Sequence, residues 1–237
     1  MMRKADGEKQ AARKRKSGFD KLLDYYWNQG GDLAELDLHN KEVDDEDAIL
    51  LSKNCNWRNL TKFNLSGNKI GDDGTVTLSK NTNWTKLITL DLSYNKIGAE
   101  GASALSKNHT WMNLYLVDLS GNKISDDRVP ALSENAAWTN LGVLDLSNNQ
   151  IYCPGAIALS KNTTWMNLRE LNLSSIEIYD YGATVLTNNV PWTNLKKLDL
   201  IGNHISGNGE VNIRINTRER SNLTILFPSD YIDRDWS

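Results

Sequence analysis

The chain has 237 residues, with 27 Lys plus Arg against 30 Asp plus Glu and a formal charge of -3. No run of about 18 apolar residues occurs, which excludes a membrane-spanning helix, and two cysteines, Cys55 and Cys153, are too few for a disulfide framework or a cysteine-rich zinc module. The near-neutral balance argues against a broad nucleic-acid-binding surface, and the basic N-terminus lacks the apolar core of a secretory signal.

Residues 1–16 carry seven cations (Arg3, Lys4, Lys9, Arg13, Lys14, Arg15, Lys16) against Asp6 and Glu8. They read as a basic, solubilising arm; the run Arg13 to Lys16 leaves open an address to the nucleus or to an acidic surface. Phe19, Leu22, Leu23 and Tyr26 then fall at i, i+3, i+4 and i+7, one apolar stripe on a helix. Gly30-Gly31 ends that helix, and residues 17–32 are expected to form an N-terminal capping helix.

Residues 33–222 are dominated by a repeat. Trp57, Trp84, Trp111, Trp138, Trp165 and Trp192 are each 27 residues apart, and leucines keep the same phase. One copy reads Trp84-Thr-Lys-Leu87-Ile-Thr-Leu90-Asp-Leu92-Ser-Tyr-Asn95-Lys-Ile97, and the frame recurs from Leu33, Leu60, Leu114, Leu141, Leu168 and Leu195. A partial copy starts at Leu223, with Arg220 in the tryptophan position; Leu223 to Phe227 reads as a last strand stopped by Pro228. Residues 223–237 are expected to be a C-terminal cap, with Tyr231, Ile232 and Trp236 covering the exposed end.

The pattern L-x-x-L-x-L-x-x-N resembles the leucine-rich repeat family. Stretches such as Ile97-Gly-Ala-Glu-Gly-Ala-Ser-Ala-Leu105 look like its ribonuclease-inhibitor-like subclass. The resemblance implies an α/β fold: a horseshoe solenoid of seven 27-residue repeats, a parallel β-sheet on its concave face and short helices on its convex face. Lys41 and Ile176 stand where the motif has asparagine, so two turns are expected to be less regular.

The residues support that fold independently. Leucines two apart point to one side of a strand, and asparagine can satisfy backbone groups in a buried turn. The stretch Gly101 to Leu105 has helix formers with apolar spacing. Acidic residues near each helix start and Lys near its end (Asp72, Asp73 and Lys80; Glu100 and Lys107) suit the helix dipole. One such unit cannot bury a core alone, so stacking must supply the partner surface.

Candidate functional positions are those the core does not need. The tryptophans share the phase of the core and are assigned to it. The strand position between the last two leucines reads Asp37, Asn64, Asp91, Asp118, Asp145, Asn172 and Asp199, a row about 4.8 Å in spacing. Local bonding to the adjacent serines accounts for such a row, which still sets the sign of the concave field. The other outward positions place Ile88, Tyr115, Leu116 and Val143 where solvent would favour polar groups, and Tyr94 borders the same patch. Lys69, Lys96 and Lys123 form a solvated basic edge.

No catalytic constellation is visible. His39, His109 and His204 lie in different repeats and phases, with no carboxylate, thiol or hydroxyl partner expected nearby, and no His/Cys zinc spacing occurs. Glycine-rich Gly202 to Gly209 lacks a phosphate-loop lysine. No cofactor is implied. Asn-x-Ser occurs at Asn64 and Asn172 inside predicted strands, where a glycan would block the face. Together with the missing cysteine-rich caps, this points to a cytoplasmic setting. The expectation is a non-enzymatic scaffold that binds a protein partner through Ile88, Tyr115, Leu116, Val143, Asp91, Asp118, Asp145 and Tyr94. The alternatives are regulation of an enzyme, as by a small-GTPase activator, and a bacterial effector acting in a eukaryotic host.

Overall fold

The computed structural model describes residues 17–126, 129–189 and 191–232. Eight three-residue strands form one open parallel sheet in strict chain order: β1 Glu35–Asp37, β2 Lys62–Asn64, β3 Thr89–Asp91, β4 Leu116–Asp118, β5 Val143–Asp145, β6 Glu170–Asn172, β7 Lys197–Asp199 and β8 Thr224–Leu226. Helix α1 (Ser17–Gln29) precedes the sheet. Each crossover then carries one short helix: α2 Asp45–Ser52, α3 Asp72–Leu78, α4 Ala99–Ser106, α5 Val129–Ser133, α6 Cys153–Leu159, α7 Asp180–Asn189 and α8 Gly207–Thr217. Helix α9 (Pro228–Ile232) follows the last strand. Strand partners are 27 residues apart throughout, from Leu36 opposite Phe63 to Leu198 opposite Ile225. The sequence period is therefore the register of the sheet.

One continuous core lies between sheet and helices. The central residues of β1 to β7 (Leu36, Phe63, Leu90, Val117, Leu144, Leu171, Leu198) are buried, and all six periodic tryptophans are 0% exposed. Neighbouring indoles stack where rings are parallel: Trp84 on Trp111 at 6.0 Å, and Trp165 on Trp192 at 5.9 Å. Burying an aromatic of this size contributes several kcal/mol relative to Ala, so the ladder is the main apolar investment of the fold.

Polar ladders hold the turns together. Asn95 Nδ2 donates to the carbonyls of Leu65 (2.9 Å) and Leu92 (3.1 Å), while its Oδ1 accepts from Ile70 N–H (3.0 Å). Asn68, Asn122, Asn149 and Asn203 repeat the same set of contacts. Each side chain thus ties two consecutive repeats where buried backbone would otherwise lack partners. The copies without this asparagine are the irregular ones. Every repeat has one residue of positive φ at equivalent turn positions (Asn40, Gly67, Tyr94, Gly121, Asn148, Ser175, Gly202), and only the turns at Lys41 and Ile176 add a second, Glu42 and Glu177.

Two further ladders were not anticipated from the repeat motif. Asn81 Nδ2 donates to Ser52 O (2.9 Å) and Asn54 O (3.0 Å), and its Oδ1 accepts from Asn83 N–H and Trp84 N–H. Asn108 and Asn162 make equivalent bonds, closing the end of each helix onto the next tryptophan. At the helix starts the capping group comes from the neighbouring repeat. Asp72 Oδ1 accepts from Gly98 N–H (2.8 Å) and Gly101 N–H (2.7 Å), and Asp45 does the same for Gly71 and Gly74. Helices α3 and α4 have Gly71 and Gly98 at their N-cap, with no side chain to bond their own first turn. The acidic residues at the helix starts therefore cap across the repeat boundary, not only along the local dipole.

The ends differ. Helix α1 lies against the first repeat: Leu23 is buried, Trp27 packs on Trp57 at 5.5 Å, and Trp57 Nε1 donates to Tyr26 O (3.1 Å). Gly30, at φ 57, ends the helix in the left-handed conformation glycine tolerates. At the other end the frame starting at Leu223 is corrected by one residue. Leu223 N–H donates to Arg220 O (2.9 Å) as Leu195 N–H does to Trp192 O, so the turn follows the frame from Leu223. The strand does not, because β8 pairs Ile225 with Leu198 and buries Phe227. One residue has been lost between turn and strand. Trp236 and the basic arm of residues 1–16 lie outside the described residues.

Candidate partner-binding surface

The outer face of the sheet is built from the residues flanking each buried strand centre. Register places Leu116 directly opposite Val143, and Asp118 between Asp91 and Asp145. Leu116 and Val143 are half-buried, whereas Ile88 and Tyr115, one residue ahead of β3 and β4, are 42% and 41% exposed. Ile88 and Tyr115 are 27 residues apart and so occupy adjacent strands. Those four predicted residues are brought together. Tyr94 is not among them: it follows the opposite end of β3, six residues from Ile88, with the acidic row between. At no more than about 3.3 Å per residue, and less through the turn after β3, that separation is at most roughly 20 Å. It forms a second lip of the face, 64% exposed.

Glycines shape both lips. A Cβ at Gly142 would meet the Tyr115 ring at 2.1 Å, and one at Gly121 would meet Tyr94 at 2.7 Å. Each tyrosine ring therefore occupies the space that a side chain at the glycine of the next repeat would fill. Beside Ile88 and Tyr115 an open groove of about 550 Å³ is lined by Thr61, Lys86, Asn113 and Asn140 as well. Asn113 and Asn140 donate to Thr85 O and Met112 O, and Lys86 Nζ reaches Asn59 Oδ1 (2.7 Å). These polar groove residues were missed in sequence; their 27-residue recurrence (Asn113, Asn140, Asn167, Asn194) was the available signal.

Each of the three central carboxylates is satisfied on one oxygen by the serine two residues on. Asp91 Oδ1 accepts from Ser93 N–H and Oγ–H (3.0 and 2.7 Å), Asp118 from Ser120 (2.9 and 2.7 Å), and Asp145 from Ser147 (2.9 and 2.7 Å). Asp145 Oδ2 also accepts from Asn172 Nδ2 (2.8 Å). Among the described residues Oδ2 of Asp91 and of Asp118 has no such partner. Burial raises the Asp118 carboxyl above the usual aspartate range, and its like-charged neighbours Asp145 and Asp91 add to that against the Ser120 bonds. Two adjacent carboxylates, Asp91 and Asp118, each with an oxygen left for a further donor, favour an approaching cation.

The chemistry elsewhere is sparse. His39 and His204, expected to lack acidic partners, do have them: His39 Nδ1 is 2.7 Å from Asp37 Oδ1, and His204 Nε2 is 3.0 Å from Glu177 Oε2. The first contact arises within one turn and the second across the irregular turn at Glu177, which a phase comparison does not reveal. The His39 bonds and charge lower the Asp37 carboxyl although burial alone would raise it. His204 stacks on Tyr179 at 4.9 Å, and among the described residues neither histidine has a hydroxyl or thiol hydrogen-bonded to it. No group of three His, Cys, Asp or Glu placed to hold a metal ion occurs among the described residues. Cys55 and Cys153 are both free thiols. Lys69 pairs with Glu42 at 3.4 Å.

No described helix is long and apolar enough to cross a membrane. No curated protein matches the chain. The family model described as Leucine Rich repeat matches residues 58–79, 85–106 and 139–160, three segments that each run from just after a periodic tryptophan through a strand to the following helix. With one parallel strand and one helix per repeat, the chain has the architecture of a leucine-rich repeat solenoid, and three of its repeats match that family model.

Proposed function

We propose that this protein is a non-enzymatic interaction scaffold of the ribonuclease-inhibitor-like kind, whose outer sheet face holds a protein partner. The observation that carries the reading is the register: Ile88, Tyr115, Leu116 and Val143 form an apolar strip beside the outward carboxylate oxygens of Asp91 and Asp118. Solvent-facing strand positions ordinarily select polar side chains, and contiguous apolar groups rimmed by charge mark interaction sites. The partner that fits inserts an apolar or aromatic anchor beside Tyr115 and surrounds it with Lys or Arg. The buried anchor supplies most of the affinity, while the acidic row sets approach rate and orientation. Leucine-rich repeats generally serve protein–protein interaction, which supports this class of function. Repeat stacking also supports it, since the outward positions vary without touching the core.

The test compares affinity capture by the intact chain with capture by a Tyr115→Asp/Leu116→Asp variant that retains its far-UV circular dichroism. A partner held by the intact chain and lost by the variant is expected. Equal capture by both refutes the assignment of this face and directs attention to the helices.

A further inference from the structure

Charge on the outer sheet face is not spread evenly. The residue preceding each strand reads Thr61, Ile88, Tyr115, Gly142, Arg169 and Lys196 from β2 to β7, so an apolar pair gives way to a cationic pair. Lys197, the first residue of β7, adds a third cation. Arg169 O accepts from Lys196 N–H (2.8 Å) and Lys197 N–H (3.0 Å), which fixes the three on adjoining repeats. All three side chains are exposed, and among the described residues none forms an ion pair. Glu170 stands opposite Lys197 in the register, and Asp199, at the far end of β7, is engaged by Ile201 N–H (3.1 Å). Lys62, which holds in β2 the position of Lys197 in β7, is instead paired with Glu35 (2.6 Å). Unpaired positive charge on this face is therefore concentrated at β6 and β7.

The apolar strip leads to this cluster. The Tyr115 ring fills the space that a side chain at Gly142 would take, and Gly142 O accepts from Arg169 N–H (2.8 Å). A glycine is thus the one residue between Tyr115 and Arg169 in that row. With strands about 4.8 Å apart, Arg169 is roughly 10 Å and Lys196 roughly 14 Å from Tyr115 along the row. The free carboxylate oxygens of Asp91 and Asp118 lie at the other ends of β3 and β4. A ligand that meets all of these groups carries positive charge near β3 and β4, an apolar anchor beside it and negative charge over β6 and β7. A polypeptide supplies the three together, whereas a polyanion such as a nucleic acid would meet the Asp91 and Asp118 oxygens with like charge.

Granting that this face is the partner site, we propose that its occupant is an extended peptide segment that crosses the strands from β3 toward β7. Its apolar or aromatic anchor lies against Tyr115 and Leu116, and its Lys or Arg faces Asp91 and Asp118. An Asp or Glu three or four residues from the anchor meets Arg169 and Lys196, because an extended chain advances about 3.3 Å per residue. The charge order also fixes which end of the segment lies over which end of the sheet. The reversed placement sets acid against Asp91 and Asp118 and base against Arg169 and Lys196, and such like-charge contacts exclude wrong partners more effectively than added attraction selects the right one.

The probe is a random peptide library displayed on phage, panned against the full chain, against Tyr115→Asp/Leu116→Asp and against Arg169→Glu/Lys196→Glu. Each variant is first shown to keep its far-UV circular dichroism, with Arg169→Gln/Lys196→Gln as a milder pair. The expected result is enrichment, lost on the Tyr115 variant, of sequences with an aromatic or branched apolar residue and an Asp or Glu three or four positions away. A synthetic peptide of that sequence should bind Arg169→Glu/Lys196→Glu at least about tenfold more weakly, and changing its acid to Lys should restore binding to that variant. Peptides that depend on Tyr115 but carry no acid at that spacing, or that bind the charge-reversed variant equally well, overturn the charge order and leave the partner face standing. Equal enrichment on the Tyr115 variant, or none on the full chain, refutes the face itself and the charge order with it.

Discussion

Trp111 tests the packing argument most severely. It sits in the middle of the ladder, 0% exposed, stacked on Trp84 at 6.0 Å with its ring planes 20° apart. Replacing a buried Trp by Ala costs about 3–5 kcal/mol, and loss of one aromatic pair adds about 0.5–1.5 kcal/mol. The lost Nε1 bond adds little, because Asn81 O keeps Asn108 Nδ2 at 3.1 Å after Trp111 Nε1 leaves it. The expected destabilisation of Trp111→Ala is therefore about 4–6 kcal/mol. With a urea dependence of about 3 kcal/mol/M, the midpoint falls by roughly 1.3–2 M. A central rung borders two repeats, so both interfaces are weakened. Equilibrium urea unfolding followed by circular dichroism is the assay, with exposed Tyr94→Ala as control. A shift for Trp111→Ala of less than about 1 kcal/mol, no larger than an ordinary surface substitution gives, would refute the claim that the ladder carries the fold.

Asp72→Ala removes an acceptor that serves two amides of the next repeat, and should lower stability by about 1–2 kcal/mol in the same assay, whereas Asp73→Ala should change little. Asp118→Asn should stabilise the chain by about 0.5–1 kcal/mol at neutral pH, because it removes a carboxylate between two others and Asn64 already shows that Asn can hold the serine. The sign follows from the raised carboxyl: the folded state binds the proton more tightly, so ionisation disfavours folding as pH rises through the folded pKa. The gain should therefore disappear in acid below the ordinary aspartate range, and a gain that persists there contradicts the electrostatic cause. Deleting residues 17–30 uncovers Trp57 and the first strand, and light scattering should detect aggregation; a soluble monomer would show that α1 is no cap.

The repeat length, strand centres and tryptophan core were legible because each is written at single positions recurring every 27 residues. The capping aspartates were visible as acids at helix starts, but their targets were not. Asp72 acts on Gly98, and only the three-dimensional stacking brings a helix start beside the previous one. The Asn54, Asn81, Asn108 ladder recurs as regularly as the motif asparagine, yet asparagine is common in loops and carries no hydrophobic phase. At the site, periodicity placed Leu116 beside Val143 and Ile88 beside Tyr115. It could not place Tyr94, whose position depends on strand length, nor the groove that exists because Gly142 leaves room for the Tyr115 ring. The final frame slipped by one residue because a leucine at 223 satisfied the turn while Ile225 and Phe227 satisfied the core, and composition alone does not rank those demands.

The central claim is that partners meet the outer sheet face at β3 to β5. A photo-crosslinking amino acid placed at Leu116, and separately at Thr82 on the helical side, tests it directly in the presence of a captured partner. Crosslinking from position 116 that is competed by salt and absent from position 82 is the predicted result. Crosslinking from position 82 with none from 116 would contradict the account.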